Sequence, residues 1–142
     1  MINLNFITLP LTSNRNNEEI VPSRSGLNWG QRPGRNQNQA YLSIPADVQR
    51  SGFFPDVGIK FEIICDDEHK MLCVRGQQNG KGLHSSPDNA ILGKYFRKRL
   101  GLNSGQLIII DHLYKYGRLS VDISKIGKCA YQLDFSARKK LH

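Results

Sequence analysis

The stretch KFEIICDDEHKMLCVRGQ, residues 60–77, places two apolar runs on either side of a short polar segment. Runs of this length that are rich in apolar, aromatic and β-branched residues favour strands. The polar segment between them, DDEHK at 66–70, is typical of the loop of a β-hairpin. We therefore predict a β-hairpin over these residues, which makes a β-rich fold the starting expectation.

Downstream of the hairpin, the chain alternates between helix and strand patterns. Ser86 as the N-cap and Pro87 at the first helical position predict a helix, whose apolar residues repeat at helical spacing up to Gly101. The remaining patterns predict a buried strand at QLIII (106–110), a one-turn helix at DHLYKYG (111–117) and a last clear strand at RLSVDISKI (118–126).

Upstream of the hairpin, one strand and one short helix are predicted. The segment AYLSIP at 40–45 has apolar residues at a period of two, and a helix begins at Pro45 and ends at Gly52. The polar residues 9–24 contain two prolines and lack apolar periodicity. We therefore predict that residues 1–22 are a linker or lead-in segment and that residues 23–142 are the folded domain.

The charge of the chain indicates a polyanionic partner. The sequence has 142 residues, enough to enclose a core without disulfides or metal, with 20 Lys and Arg against 12 Asp and Glu and a net charge of +8. Three windows contain no acidic residue, at 20–46, 69–87 and 89–110. Basic groups without neighbouring acids keep their full attraction for phosphate, so this pattern favours nucleic acid as the partner.

Cysteine and histidine spacing argues against disulfides and metal sites. Cys65, Cys73 and Cys129 are an odd number without CxxC spacing, and the four histidines lack the spacing of a metal site. The chain start has no signal-peptide pattern, and no run approaches the roughly 20 apolar residues that span a bilayer. We expect a cytoplasmic protein that binds no membrane and needs no cofactor or metal.

Two loops concentrate the side chains that read DNA bases. The segments SRSGLNWGQRPGRNQNQ at 23–39 and RGQQNGKGLH at 75–84 both combine Arg, Asn, Gln or Lys with glycines. Arg pairs with guanine and Asn or Gln with adenine through two hydrogen bonds each, while glycine allows a close approach of the backbone. Such loops occur also as ordinary polar connectors, but two of the same chemistry predict a clamp on duplex DNA.

Two further features bear on the kind of nucleic acid that is bound. Trp29 is the only aromatic residue in either loop, and single-strand binders need several exposed aromatics for stacking. We favour an anchoring role for Trp29 over an apolar contact to DNA. The helix after Pro87 also carries four basic residues opposite its apolar face as candidates for phosphate contacts, namely Lys94, Arg97, Lys98 and Arg99.

A metal-dependent nuclease is the enzymatic alternative. Pro55-Asp56 followed by Glu68 and Lys70 formally matches the pattern PD…(D/E)xK of restriction-type nucleases. That chemistry needs two carboxylates on one divalent metal, with the lysine near the attacking water. Because Glu68 and Lys70 fall in the polar hairpin loop, we expect them to face solvent instead of converging with Asp56.

The run SGLNWGQRPGR at 25–35, followed by Asn38-Gln39-Ala40-Tyr41, resembles the DNA-recognition domain of phospholipase-D-type restriction endonucleases, which is related to the plant B3 domain. The similarity covers most of the chain after Val21, continuing through Phe54-Pro55, Asn79-Gly80-Lys81, residues 92–97 and residues 116–118. It implies a mainly β fold with short helices, in the form of a seven-stranded open pseudobarrel.

The resemblance also implies that two arms enter the major groove of double-stranded DNA. The first arm would be Asn28 to Asn38 and the second arm Arg75 to Asn89. It further implies a recognition domain without catalysis of its own, which serves a nuclease domain in the parent chain. We expect the isolated domain to be a monomer. The residues expected to contact DNA are Asn28, Gln31, Arg32, Arg35, Asn36, Gln37 and Asn38 on the first arm, Arg75, Gln77, Gln78, Asn79, Lys81, His84 and Asn89 on the second, and Lys94.

Overall fold

We describe the fold from a computed structural model, in which residues 5–76 and 80–138 are described. The helices are α1 (Ala46–Arg50), α2 (Ala90–Arg99) and α3 (Ile110–Tyr116), and a 3₁₀ turn lies at Gly26–Asn28. The strands are β1 (Phe6–Pro10), β2 (Ser13–Arg15), β3 (Glu18–Ile20), β4 (Leu42–Ser43), β5 (Phe61–Cys65), β6 (Lys70–Gly76), β7 (Gly82–Ser85), β8 (Ser120–Gly127) and β9 (Ala130–Asp134).

Seven of these strands form one sheet, in the order β1, β8, β9, β5, β6, β7 and β4. Neighbouring strands run antiparallel, except for the parallel pair β5 and β9. The predicted hairpin is confirmed, since Phe61 pairs with Cys73 across β5 and β6. The edge strands β1 and β4 also contact each other, so the sheet is nearly closed. The predicted mainly β pseudobarrel is therefore confirmed.

Alternating side chains fill the inside of the pseudobarrel. In β5, Phe61, Ile63 and Cys65 are buried, whereas the residues between them are partly exposed. The rings of Phe61 and Tyr131 lie 5.1 Å apart and belong to an aromatic cluster with Phe53 and Phe54. Each fully buried side chain of this size stabilises the fold by about 1.5–3 kcal/mol. This core holds the strands from which the two arms emerge.

The segment that we predicted to be a lead-in contributes a strand to the sheet. Strand β1 pairs with β8, and Ile7 and Leu9 on its inner face are buried in the core. A two-stranded hairpin of β2 and β3 follows it. The period-two spacing of Ile7, Leu9 and Leu11 was the signal of this strand, but it is short and lies beside a polar stretch. Residues 6–10 therefore belong to the folded sheet and not to a linker.

Helix α2 begins later than the sequence predicts. Its first residue is Ala90, and the Asp88 side chain accepts a hydrogen bond from the Ala90 N–H at 2.9 Å. The Ser85 hydroxyl accepts from the Leu92 N–H at 3.0 Å. Because these two side chains satisfy the free N–H groups at the helix start, the predicted capping by Ser86 is wrong. The predicted end at Gly101 and the short helix before Gly117 are confirmed.

The predicted strand at 106–110 does not form. Its middle residue, Ile108, is buried, but both of its backbone groups bond to the side chain of Asn28: the N–H donates to Oδ1 at 2.9 Å and the carbonyl accepts from Nδ2 at 2.8 Å. A side chain thus takes the place of a neighbouring strand. The sequence prediction also missed β9, in which Tyr131 and Leu133 alternate with exposed or half-buried residues.

Candidate nucleic-acid interface

The first arm is a loop closed by backbone hydrogen bonds at its base. The Gly30 N–H donates to the Gln39 carbonyl at 2.9 Å, and the Gln39 N–H donates to the Asn36 carbonyl at 3.0 Å. A Cβ on Gly30 would lie 2.0 Å from the Asn36 oxygen. The two sides of the arm therefore approach each other so closely that only glycine fits at this position.

Asn28 holds the base of the arm to the body of the domain. It is fully buried, and its Nδ2 donates to the carbonyls of Pro22 and Ile108, both at 2.8 Å. Its Oδ1 accepts from the Ile108 N–H at 2.9 Å. Since both amide atoms are used inside the protein, the predicted DNA contact of Asn28 is corrected to a structural role.

Asn38 and Gln31 attach the arm to a second element, residues 101–106, which we call the supporting loop. Asn38 is buried, with its Nδ2 donating to Ser104 Oγ at 2.9 Å and its Oδ1 accepting from the Gly105 N–H at 2.7 Å. Gln31 Nε2 donates to the Gly105 carbonyl at 3.0 Å and to the Gln37 carbonyl at 2.9 Å. The predicted DNA contact of Asn38 is likewise corrected to support of the arm.

The supporting loop is not among the segments that the sequence predicts to form the interface. Its residues GLNSGQ have the small and polar composition of a loop, but nothing in the local pattern connects them with an arm more than sixty residues earlier in the chain. The one feature of the sequence that could have indicated this loop is the pair Gly101 and Gly105, which flank Leu102, Asn103 and Ser104 directly after α2. The geometry now makes this loop part of the candidate interface.

The outer part of the first arm is exposed and carries four of the predicted DNA-contacting residues. Arg32 Nε donates to the Arg24 carbonyl at 3.1 Å, and Arg35 Nε donates to Gln39 Oε1 at 2.9 Å. Each bond fixes one nitrogen of a guanidinium, whose other donors have no hydrogen-bond partner among the described residues. The exposed side chains are those of Arg32, Arg35, Asn36 and Gln37.

Trp29 belongs to the first arm and is partly buried where this arm faces the second. Its ring meets Tyr41 edge to face, with centroids 5.4 Å apart, and lies 6.3 Å from the His84 ring of the second arm. The Arg35 guanidinium lies over the Trp29 ring, with its Cζ 4.4 Å from the ring centroid. These contacts support the predicted anchoring role, because the ring packs against three side chains of the domain.

The second arm is described in part. Gln77, Gln78 and Asn79 lie outside the described residues. At the start of the arm, Arg75 is half-buried and donates to the carbonyls of Gly80 at 3.4 Å and Pro55 at 3.3 Å. Lys81 is exposed, whereas His84 is half-buried over Gly76 and Trp29. The half-buried Asn89, at the N-cap of α2, accepts the Ala40 N–H through its carbonyl at 3.3 Å.

Two of the four basic residues of α2 are used inside the protein. Arg97 is buried, and burial lowers the pKa of its guanidinium from the ordinary value. It donates to three backbone carbonyls, those of Gln106 (2.7 Å), Gly93 (3.2 Å) and Leu27 (3.4 Å). Arg99 pairs with Asp66 at 2.8 Å. Lys94 and Lys98 are exposed and remain as candidates for phosphate contacts.

The nuclease alternative is not supported by the geometry. Gly58, two residues after Asp56, donates its N–H to the Arg75 carbonyl at 3.3 Å, beside the end of β6, whereas Glu68 lies in the turn that follows β5. The two carboxylates therefore lie at opposite ends of the five-residue strand β5. A strand rises about 3.3 Å per residue, which separates its two ends by roughly 13 Å. Ligands of a divalent ion lie within roughly 2.6 Å of it, so these two carboxylates cannot share one. Lys70 is exposed at the start of β6, and the described ranges contain no group of three His, Cys, Asp or Glu placed to hold a metal.

Comparison with known proteins gives one family. Residues 4–127 match the family model described as NgoFVII C-terminal B3-like DNA-binding domain. No curated protein matches the chain. The match spans both the first arm and the supporting loop. In the part of the chain that is described, no helix is long and apolar enough to cross a membrane.

Proposed function

Because the chain belongs to the family of the NgoFVII C-terminal B3-like DNA-binding domain, it is a DNA-binding domain, and we propose that it reads a short sequence in duplex DNA. The two arms enter the major groove. The domain acts as a monomer that selects the target of a restriction endonuclease, whose cleavage is carried out by a nuclease domain of the parent protein.

The observation that carries this proposal is that some polar side chains of the first arm are buried and hold the arm in place, whereas others are exposed on its outer part. The side-chain amide of Asn28 is hydrogen-bonded to the body of the domain, and that of Asn38 to the supporting loop. These bonds hold the arm in one shape. Arg32, Arg35 and Asn36 keep exposed side chains on the outer part of the arm. A rigid base with exposed Arg and amide groups suits base recognition, since ordering a flexible loop on binding costs affinity.

The major groove suits these side chains because each base pair presents a distinct pattern of donors and acceptors there. Guanine offers two acceptors to an arginine fork, and adenine offers one donor and one acceptor to an amide. Arg32 and Arg35 are therefore assigned to guanines, and the amides of Asn36 and Gln37 to adenines. Lys81 of the second arm is assigned to a phosphate, because a single ammonium carries charge but no bidentate geometry.

The test of this function is selection of bound duplexes from a randomised library at a stated salt concentration. We expect a short consensus that contains guanine, and binding that single-stranded oligonucleotides do not displace. Each mismatch in the consensus should weaken binding by about 1–3 kcal/mol. Uniform recovery of all sequences would contradict sequence-specific recognition.

Lys94 is expected to contact a phosphate and not a base. Replacing Lys94 with glutamine should weaken binding to all duplexes alike and reduce the slope of log affinity against log salt concentration by about 0.9. Lys115→Gln is the matched control, because Lys115 is exposed on α3 and is not one of the predicted DNA contacts. Titrations at several salt concentrations measure both slopes, and an unchanged slope for Lys94→Gln would remove this contact.

A further inference from the structure

Arg35 and Trp29 form a preassembled stack on the first arm. The Arg35 Cζ lies 4.4 Å from the centre of the Trp29 ring, which is within the range of a cation–π contact, and tryptophan is the strongest partner for such a contact. Arg35 Nε also donates to Gln39 Oε1 at 2.9 Å. The face and one edge of the guanidinium are thus fixed although the side chain is exposed.

The ring beneath Arg35 is itself held from two sides. Tyr41 meets Trp29 edge to face at an interplanar angle of 83°, and His84 lies across it at 43°. Tyr41 belongs to the chain that enters β4 and His84 belongs to β7, so both are fixed by the sheet. The body of the domain therefore fixes the position of the Trp29 ring, and the ring in turn fixes the guanidinium of Arg35 that lies over it.

We propose that Trp29 is a positioning residue that holds the guanidinium of Arg35 in the orientation for reading a guanine. This inference rests on the proposed function and names one of the bases that the first arm selects. With Nε bonded to Gln39, the two terminal nitrogens Nη1 and Nη2 present a pair of donors at the outer edge of the fork. That pair matches the O6 and N7 acceptors of guanine in the major groove.

The chemistry of the fork favours guanine, the base with two adjacent acceptors in the major groove. A guanidinium has donors and no acceptor, so it cannot accept a hydrogen bond from the amino groups that adenine and cytosine present in the major groove. Thymine offers a single acceptor beside its methyl group. Arg32 differs from Arg35 because it has the Nε bond, to the Arg24 carbonyl, but no ring contact among the described residues. Arg35 is therefore the better oriented of the two forks.

The test is library selection with the wild-type domain and three variants. Lysine could still donate to both guanine acceptors, so Arg35→Ala is the variant that removes the fork. We expect it to bind the wild-type consensus roughly 10- to 100-fold more weakly and to lose the preference for guanine at one base pair. Trp29→Leu should lose the preference at that same base pair with the other positions kept, and Trp29→Phe, which restores a ring face, should recover it.

Trp29 fluorescence adds a measurement that does not depend on DNA. Trp29 is the only tryptophan of the chain, so a change in emission in Arg35→Ala without DNA reports the stack directly. Arg32→Ala is the matched control and should leave the emission unchanged, since Arg32 makes no contact with the ring among the described residues. Equal emission in the wild type and in Arg35→Ala would contradict the stack.

The outcomes separate this inference from the proposed function. If the wild type itself yields no consensus, sequence-specific recognition fails. If the wild type yields a consensus and either Arg35→Ala or Trp29→Leu recovers it unchanged, the positioning role is overturned and the function stands. Should Trp29→Leu fail to fold in a thermal melt, Arg35→Ala and the fluorescence comparison still decide the question.

Discussion

Replacing Asn28 with aspartate is expected to lower the free energy of unfolding by about 3–5 kcal/mol. The substitution changes one NH2 group to an oxygen at constant size. Asn28 Nδ2 donates to the carbonyls of Pro22 and Ile108 at 2.8 Å, so aspartate would place a carboxylate oxygen against two carbonyl oxygens. The residue is fully buried, and no water can screen that repulsion. Chemical denaturation measures the loss.

Asn36→Asp is the matched control, since Asn36 is exposed on the same arm. Its Oδ1 accepts the Asn38 N–H at 2.9 Å, a bond that aspartate keeps. The stability of this variant should change by less than about 0.5 kcal/mol, whereas its affinity for the selected duplex should fall because a negative charge now faces the DNA. Equal stability of the two variants would show that Asn28 does not hold the arm.

Replacing Gly93 with alanine is expected to destabilise the domain by about 1–3 kcal/mol and to weaken DNA binding. Inside a helix this change ordinarily stabilises by about 1 kcal/mol. Here the sign reverses, because a Cβ on Gly93 would lie 1.7 Å from the Asn38 carbonyl oxygen and 2.9 Å from Arg97 Nη1. The first of these contacts is backbone, so α2 and the first arm must move apart.

Lys94→Ala provides the comparison for Gly93→Ala with respect to stability. It lies on the same helix, is exposed, and should change the free energy of unfolding by less than about 0.5 kcal/mol. Thermal melts compare the two variants, and duplex titration shows whether the displaced arm loses affinity. A Gly93→Ala domain that is more stable than the wild type would mean that α2 does not press on the arm.

The elements predicted correctly are those whose signals are local. The β5–β6 hairpin needs only two apolar runs and a polar turn, and α3 ends at Gly117, where φ is 100°. The predicted strand at 106–110 was wrong because the backbone of Ile108 bonds to a side chain that is distant in the sequence, not to a neighbouring strand. Asn28 lies 80 residues before Ile108. No window of sequence around QLIII contains that information.

The candidate site shows the same limit. Composition singled out the two loops that we propose as arms, because Arg, Asn and Gln among glycines are visible in the sequence. It could not separate Asn28 and Asn38, which are buried, from Asn36, which is exposed, since the three residues have identical chemistry. Their difference arises from packing against Pro22, Ile108 and the supporting loop. The contacts of the remaining exposed residues with DNA stay predictions.

The pairing of β1 with β8 has a consequence for the order of folding. Thr8 donates a hydrogen bond to Asp122, 114 residues later in the chain. During synthesis, β1 therefore cannot pair until β8, more than 100 residues later in the chain, has left the ribosome. Likewise, β5 cannot form its parallel pair until β9 has been synthesised. Long-range pairings of this kind fold slowly and leave apolar strand edges open in the meantime. A nascent chain that stops before Ser120 leaves β1 without its partner in the sheet, so the pseudobarrel can close only once β8 and β9 are in place.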